Sequence, residues 1–254
     1  MFVTVNFKRI VKTALFFAAL SAAGILLSNP VLAAAYAGYA PGKLPVYSVE
    51  TEKPLISITF DAAWGADKTA RIVEVLKQYD VPATFFLVGF WIEKYEAEAK
   101  MLADAGIEIG NHSENHPDMA KLPKEKIKDQ LESVNSRIEA VTGERPRFFR
   151  PPFGSYNDKV IEAAAETGLT VVQWDVDSLD WKDKKASSVT ERVLKKVRNG
   201  SIILFHNNGE CVVGAISVLI PALKNKGFEF VKVGDLLYTE NYFIDHTGRQ
   251  RKNR

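Results

Sequence analysis

In Leu55-Ile56-Ser57-Ile58-Thr59-Phe60-Asp61-Ala62, residues 55–60 read as a short strand with a carboxylate, Asp61, directly after it. An amphipathic helical pattern follows at 67–79, and a second apolar run at 83–88. The alternation continues to about residue 231. Further strand-like segments lie at 108–110, 147–149, 170–174, 201–205 and 228–231, and helical patterns at 91–105, 124–142, 157–167, 186–198 and 212–226. Gly106, Gly143, Gly168, Gly200 and Gly227 stand at or just past the ends of five of these helices, where a left-handed residue closes a helix. Strand alternating with helix requires crossover connections, hence parallel strands and an α/β fold. We expect an irregular (β/α) barrel of about seven parallel strands, with a doubly wound open sheet as the alternative.

Working outward, residues 1–35 resemble an export leader. Lys8, Arg9 and Lys12 form a basic region, an apolar run follows at 13–27, and small residues at 31–35 match a cleavage site. Such a segment sends the chain out of the cytoplasm, either cleaved or retained as a membrane anchor. Residues 36–54, punctuated by Gly38, Pro41, Gly42, Pro45 and Pro54, read as an extended arm or linker. Residues 55–240 form the α/β domain, and 241–254 a polar basic tail expected to be frayed and solvated.

The formal charge of +2 comes from the leader; without its three basic residues, 30 Lys and Arg face 31 Asp and Glu. A near-neutral domain has no electrostatic footprint for nucleic acid. A lone cysteine, Cys211, excludes an intramolecular disulfide framework and reads as a packing residue.

The chain holds four histidines, and two of them, His112 and His116, are four residues apart. On a helical turn that spacing puts both rings on one face, within reach of one divalent cation; a surface turn with two solvated imidazoles is the alternative. Other reactive side chains also gather at the C-terminal ends of the expected strands: Asp61, Arg150, Asp177, Asp180 and His206. That end of an α/β barrel carries its active site.

Five ordered segments hold these residues: Thr59-Phe60-Asp61-Ala62, His112-Ser-Glu-Asn-His116-Pro117, Arg150-Pro-Pro-Phe-Gly154, Asp177-Ser-Leu-Asp180-Trp181 and Leu204-Phe205-His206. Together they resemble the five motifs of the polysaccharide deacetylases, the NodB-homology or carbohydrate esterase family 4 domain, over about residues 55–235. The form Thr-Phe-Asp-Ala-Ala-Trp-Gly is further similar to the sporulation-associated deacetylases of endospore-forming bacteria.

That resemblance implies hydrolysis of N-acetyl groups on the amino sugars of peptidoglycan or another N-acetylated glycan, assisted by a divalent metal, Zn by preference with Co or Ni as alternatives. It implies His112 and His116 as metal ligands, Asp61 as catalytic base, Arg150 as the residue orienting that base, and His206 as general acid with Asp180 setting its tautomer. Phe153 and Gly154 fall where the family's backbone binds the oxyanion, and Trp181 is placed to stack on a sugar ring or, alternatively, to fill the core. Asp175 and Asp177 are expected to serve loop hydrogen bonding only.

One departure stands out. The family's first motif has two adjacent aspartates, and the second, a metal ligand, is Ala62 here. Three outcomes follow: Asp61 turns to the metal, Asp67 reaches in from the loop, or the protein binds glycan without turning it over.

Overall fold

The computed structural model describes residues 42–253. The leader and the first part of the arm lie outside the described residues. In chain order the elements begin with β1 (Ser48–Val49), β2 (Leu55–Ala62), α1 (Thr69–Gln78), β3 (Thr84–Leu87), α2 (Gly89–Lys94), α3 (Glu96–Asp104) and β4 (Glu108–Asn111). Next come α4 (Lys124–Thr142), β5 (Phe148–Phe149), α5 (Asp158–Glu166), β6 (Thr170–Val171) and β7 (Val176–Asp177). The chain continues through α6 (Ala186–Lys196), β8 (Ile202–His206), α7 (Val212–Asn225), β9 (Glu229–Phe230), α8 (Val233–Leu236), β10 (Tyr242–Ile244) and β11 (Arg249–Lys252).

The principal sheet runs β6-β5-β4-β3-β2-β8-β7, with β9 pairing the start of β2, and every pairing in it is parallel. Its two edge strands, β6 and β7, are consecutive in the chain and separated only by residues 172–175. So short a connection spans at most about 17 Å, so the sheet curls until its edges approach. The result is the expected irregular (β/α) barrel. Of the segment at 170–174, expected as one strand, only Thr170–Val171 is strand, and β7 follows across the seam at Val176–Asp177.

Strand β2 shows why the barrel has a polar lumen. Ile56, Ile58 and Phe60 face the helices within the main apolar cluster, beside Ile72, Trp91, Ile216 and Leu219. The alternate residues Ser57, Thr59 and Asp61 point the other way and are also buried. Burying them costs free energy unless each finds a partner. Ser57 Oγ donates to Val231 O at 2.8 Å and Thr59 Oγ1 to Ile203 O at 2.7 Å, while Asp61 meets Arg150.

The arm and tail differ from expectation. Val46 bridges to Val172 at the seam, and β1, β11 and β10 form a second, three-stranded sheet. Val46 and Val49 are fully buried, and a Cβ on Gly200, at φ +80°, would stand 1.8 Å from Val49 O. The tail is ordered because its polar groups are paired. The buried Gln250 amide exchanges hydrogen bonds with the Tyr238 backbone at 2.8 Å each way, and Arg251 reaches Glu50 and Asp245 at 2.6 Å. Among the described residues no helix is long and apolar enough to cross a membrane.

Candidate active site

Parallel strands deliver the reactive side chains to one end of the barrel. Asp61 and His206 are direct partners in the β2–β8 ladder, and Asn111 pairs with Phe149, which sets His112 and Arg150 side by side one residue later. The groove above them has a volume of about 470 Å³. Asp61, His112 and His206 form its floor; Trp64, Phe153 and Trp181 form its rim.

The floor is built on buried charge. Arg150 is fully buried, its guanidinium 4.1 Å from the centroid of the Phe86 ring. It donates to Asp61 Oδ1 and Thr59 Oγ1 at 2.8 Å and to Gln173 O at 3.0 Å. Burial alone pushes the Asp61 carboxyl up, but Arg150, then His112 and His206, outweigh it and hold its pKa below the ordinary range. A base that stays ionised and fixed in direction is the consequence. Asp61 lies inside β2, and α1 begins only at Thr69.

His206 receives the complementary treatment. Its Nδ1–H donates to Asp180 Oδ1 at 2.8 Å, and its backbone N–H to Asp180 Oδ2 at 2.9 Å. Asp180 is itself fully buried and accepts from Ser178 Oγ at 3.0 Å. Burial disfavours the imidazolium, but the Asp180 hydrogen bond and charge prevail, so the His206 pKa is raised. An imidazole with Nε2 toward the groove and a raised pKa suits a proton donor.

His112 and His116 converge without a helix. After β4 the chain turns with Ser113 at φ 69° and His116 at φ 53°, which bring the ring centroids to 5.0 Å. The turn is preorganised by Asn111, whose Oδ1 accepts from Ser113 N at 2.8 Å, and by Ser113 Oγ, which accepts from His116 N at 3.1 Å. Four of the six non-glycine residues at positive φ among the described residues, namely Ser113, His116, Phe153 and Leu179, belong to loops of this groove. Strain gathered in this way is typical of functional sites.

His112 is 2% exposed rather than solvated, and its Nδ1–H donates to Arg150 O at 2.6 Å, which turns Nε2 toward Asp61 Oδ2 at 3.6 Å. His116 Nδ1 is buried with no partner, and burial, then the neighbouring His112, pushes its pKa down to about 4. Both imidazoles therefore present neutral nitrogens of the kind a cation takes.

A third donor is missing. Ala62 is fully buried in the main apolar cluster and offers no oxygen. Asp67 does not reach in; its side chain is 71% exposed and pairs with Lys68 at 3.3 Å. Among the described residues no three His, Cys, Asp or Glu side chains form a metal cluster. Two imidazoles, with the nearest carboxylate already bound to arginine, leave a three-ligand divalent centre one uncommitted donor short.

Trp181 is 61% exposed, on the groove and not in the core, and Phe153 is 71% exposed. Gly154, at φ +66°, leaves room for Trp174, whose ring edge a Cβ there would meet at 3.0 Å. Asp177 accepts from Leu179 N at 2.8 Å, and Asp175 from Ile202 N at 3.0 Å, which are loop roles as expected. Cys211 is half-buried and contacts Asp183 O at 3.3 Å. Trp64, Trp174 and Asn208 also line the groove and were not singled out from the sequence. Trp64 carried a signal, being a large aromatic within a motif loop.

A barrel of this topology with these five segments at its C-terminal end is the architecture that the resemblance to NodB-type carbohydrate esterases implies, and comparison with known proteins agrees. The polysaccharide deacetylase family model matches residues 48–172. A peptidoglycan-N-acetylglucosamine deacetylase of Bacillus cereus is 34% identical over 197 residues, 76% of this chain and 72% of the relative. The chain belongs to the polysaccharide deacetylase family. The uncharacterized protein YlxY of Bacillus subtilis is 38% identical over 193 residues, and the chain spans only 60% of its length. A similar solved structure is that of a CE4 family pseudoenzyme from Bacillus anthracis, with a TM-score of 0.74 and 38% identity, covering 76% of this chain and 69% of that one. A mutant of a CE4 family pseudoenzyme with restored enzymatic activity matches at 39% identity, again with a TM-score of 0.74.

Proposed function

We propose that this protein is exported and recognises N-acetylated cell-wall glycan through the groove, with hydrolysis of the N-acetyl group strongly reduced. The observation that carries this reading is Ala62, a buried methyl group where the family motif has a carboxylate. The similarity to a pseudoenzyme supports it.

The rest of the hydrolytic set is arranged for its task. In the N-deacetylation that the family suggests, water adds to the amide carbon while Asp61 takes its proton. The C–N bond then breaks as His206 protonates the amine, leaving acetate and a free amino sugar. Arg150 keeps Asp61 ionised and Asp180 keeps Nε2 of His206 toward the substrate. What the chain lacks is a full donor set to polarise the carbonyl.

Acetate release from N-acetylglucosamine oligomers and purified peptidoglycan, with and without added Zn²⁺ or Co²⁺, tests this. We expect rates no higher than those of an Asp61→Asn control. Rapid turnover abolished by Asp61→Asn would overturn the reduced-hydrolysis reading. A second reading, residual metal-dependent deacetylation with Asp61 as both ligand and base, is favoured by the 3.6 Å approach of Asp61 Oδ2 to His112 Nε2. It expects slow acetate release that rises with added metal and disappears in both Asp61→Asn and His112→Ala.

A further inference from the structure

Trp64 is 56% exposed, an unusual state for an indole on a loop that is itself firmly anchored. Gly65 O, next in the chain, accepts from Trp91 Nε1 and from Asn207 Nδ2, each at 2.7 Å. Gly65 sits at φ +66°, so the turn that projects Trp64 is fixed from both sides. The ring is therefore held in place by the backbone rather than by burial of its own surface.

Its position within the groove is specific. Trp64 meets the His116 ring at a centroid distance of 4.8 Å and an interplanar angle of 65°, and Phe153 meets the same ring at 4.6 Å and 80°. His116 is thus flanked edge-on by two aromatic rings. The two rings line the His116 side of the groove. Among the described residues five large apolar side chains are strongly exposed, and Trp64, Phe153 and Trp181 all rim this one groove. Exposed aromatics concentrated around a concave site mark a binding surface, and the apolar face of a pyranose ring fits an indole plane.

We propose that Trp64 is a glycan-positioning residue, the platform on which a pyranose of the bound chain stacks beside His116, and that this contact forms without a metal. The inference rests on the reading of the groove as a glycan site and adds a residue and a metal independence which that reading does not require. Trp64 touches no reacting atom; it acts by holding the sugar. Removing the indole leaves the Gly65 anchors and the barrel core intact, so folding is unaffected.

Isothermal titration of the purified full chain with the N-acetylglucosamine tetramer, in the presence of EDTA, tests the proposal. We expect Trp64→Ala to weaken binding about tenfold, the loss of a central aromatic contact. Trp64→Tyr should recover most of the affinity, and Phe243→Ala, an exposed aromatic outside the groove, should change nothing. Melting temperatures of all three should match the wild type. Wild-type binding that persists in EDTA and is equally strong in Trp64→Ala overturns the Trp64 assignment alone. Binding that vanishes in EDTA and returns with Zn²⁺ overturns the metal independence. A wild-type protein that ignores the tetramer under both conditions sinks the glycan reading along with the inference.

Discussion

The floor and the rim of the groove are built on opposite principles. The floor is charged, buried and locked: Arg150 and Asp180 are fully buried, and each is tied to its neighbour by hydrogen bonds of 2.8 to 3.0 Å. The rim is apolar and exposed, with Trp64, Phe153 and Trp181 between 56% and 71% accessible. On the proposed reading floor residues carry both stability and proton chemistry, whereas rim residues contribute affinity and little stability. Substitutions should separate the two.

The largest effect is expected at Arg150. Replacing it with alanine strands Asp61 in the barrel lumen without its counter-ion and leaves Gln173 O and Thr59 Oγ1 without their donor. Breaking a buried pair from one side costs about 3–5 kcal/mol. Urea denaturation of Arg150→Ala should show a loss of that size; a loss below about 1 kcal/mol would mean that the lumen is wetter than its burial implies.

Position 62 comes next. Ala62→Asp places a carboxylate in a fully buried apolar setting, at a cost of about 3 kcal/mol without a partner. At the position where the family motif carries its ligand, however, it supplies the absent donor. We expect a destabilised variant whose lost stability returns on titration with Zn²⁺, with acetate release rising in parallel, whereas the wild type responds weakly to the metal. Equal Zn²⁺ stabilisation of both proteins would show that the third donor is already present.

These contrasts were only partly legible in the chain. Element order, the parallel arrangement and the gathering of Asp61, His112, Arg150, Asp180 and His206 at one end of the sheet follow from local patterning and turn residues, which one segment expresses by itself. Gly143 illustrates this: it ends α4 at φ 77°, as its position implied. What escaped depends on pairing between distant segments. Strand β7 is two residues long and exists because Val176 and Asp177 meet Ile203 and Leu204. The tail sheet needs Gln250 buried against Tyr238, and the convergence of His112 and His116 needs positive φ at two residues that rarely adopt it. No local propensity encodes those contacts. The missing donor at Ala62, by contrast, was readable through the family resemblance, because the motif has a carboxylate at that position and this chain has a methyl group.

Asp180→Asn should have an intermediate effect with a pH signature. The raised pKa of His206 means that its contribution to stability is complete below the unfolded value, near 6.5, and fades as pH rises through the folded value. Asparagine removes the charge that raises it. The deficit of Asp180→Asn relative to wild type should be about 2 kcal/mol at pH 6 and shrink toward pH 8, with the His206 titration moving to lower pH by NMR. A deficit that is constant with pH would assign Asp180 a purely structural role.

The smallest stability change is expected at the rim. Trp181 lies on the loop between β7 and α6 with most of its surface in solvent, so Trp181→Ala should alter unfolding free energy by no more than about 0.5 kcal/mol. Its affinity for the N-acetylglucosamine tetramer should nevertheless drop several-fold, because the exposed indole lines the same groove as Trp64 and Phe153. Paired measurements on Arg150→Ala and Trp181→Ala then place the two regions on different axes, stability for one and affinity for the other. If Trp181→Ala were instead to lower stability by as much as Asp180→Asn, the exposed indole would be packing against the floor in solution, and the division between floor and rim would not hold.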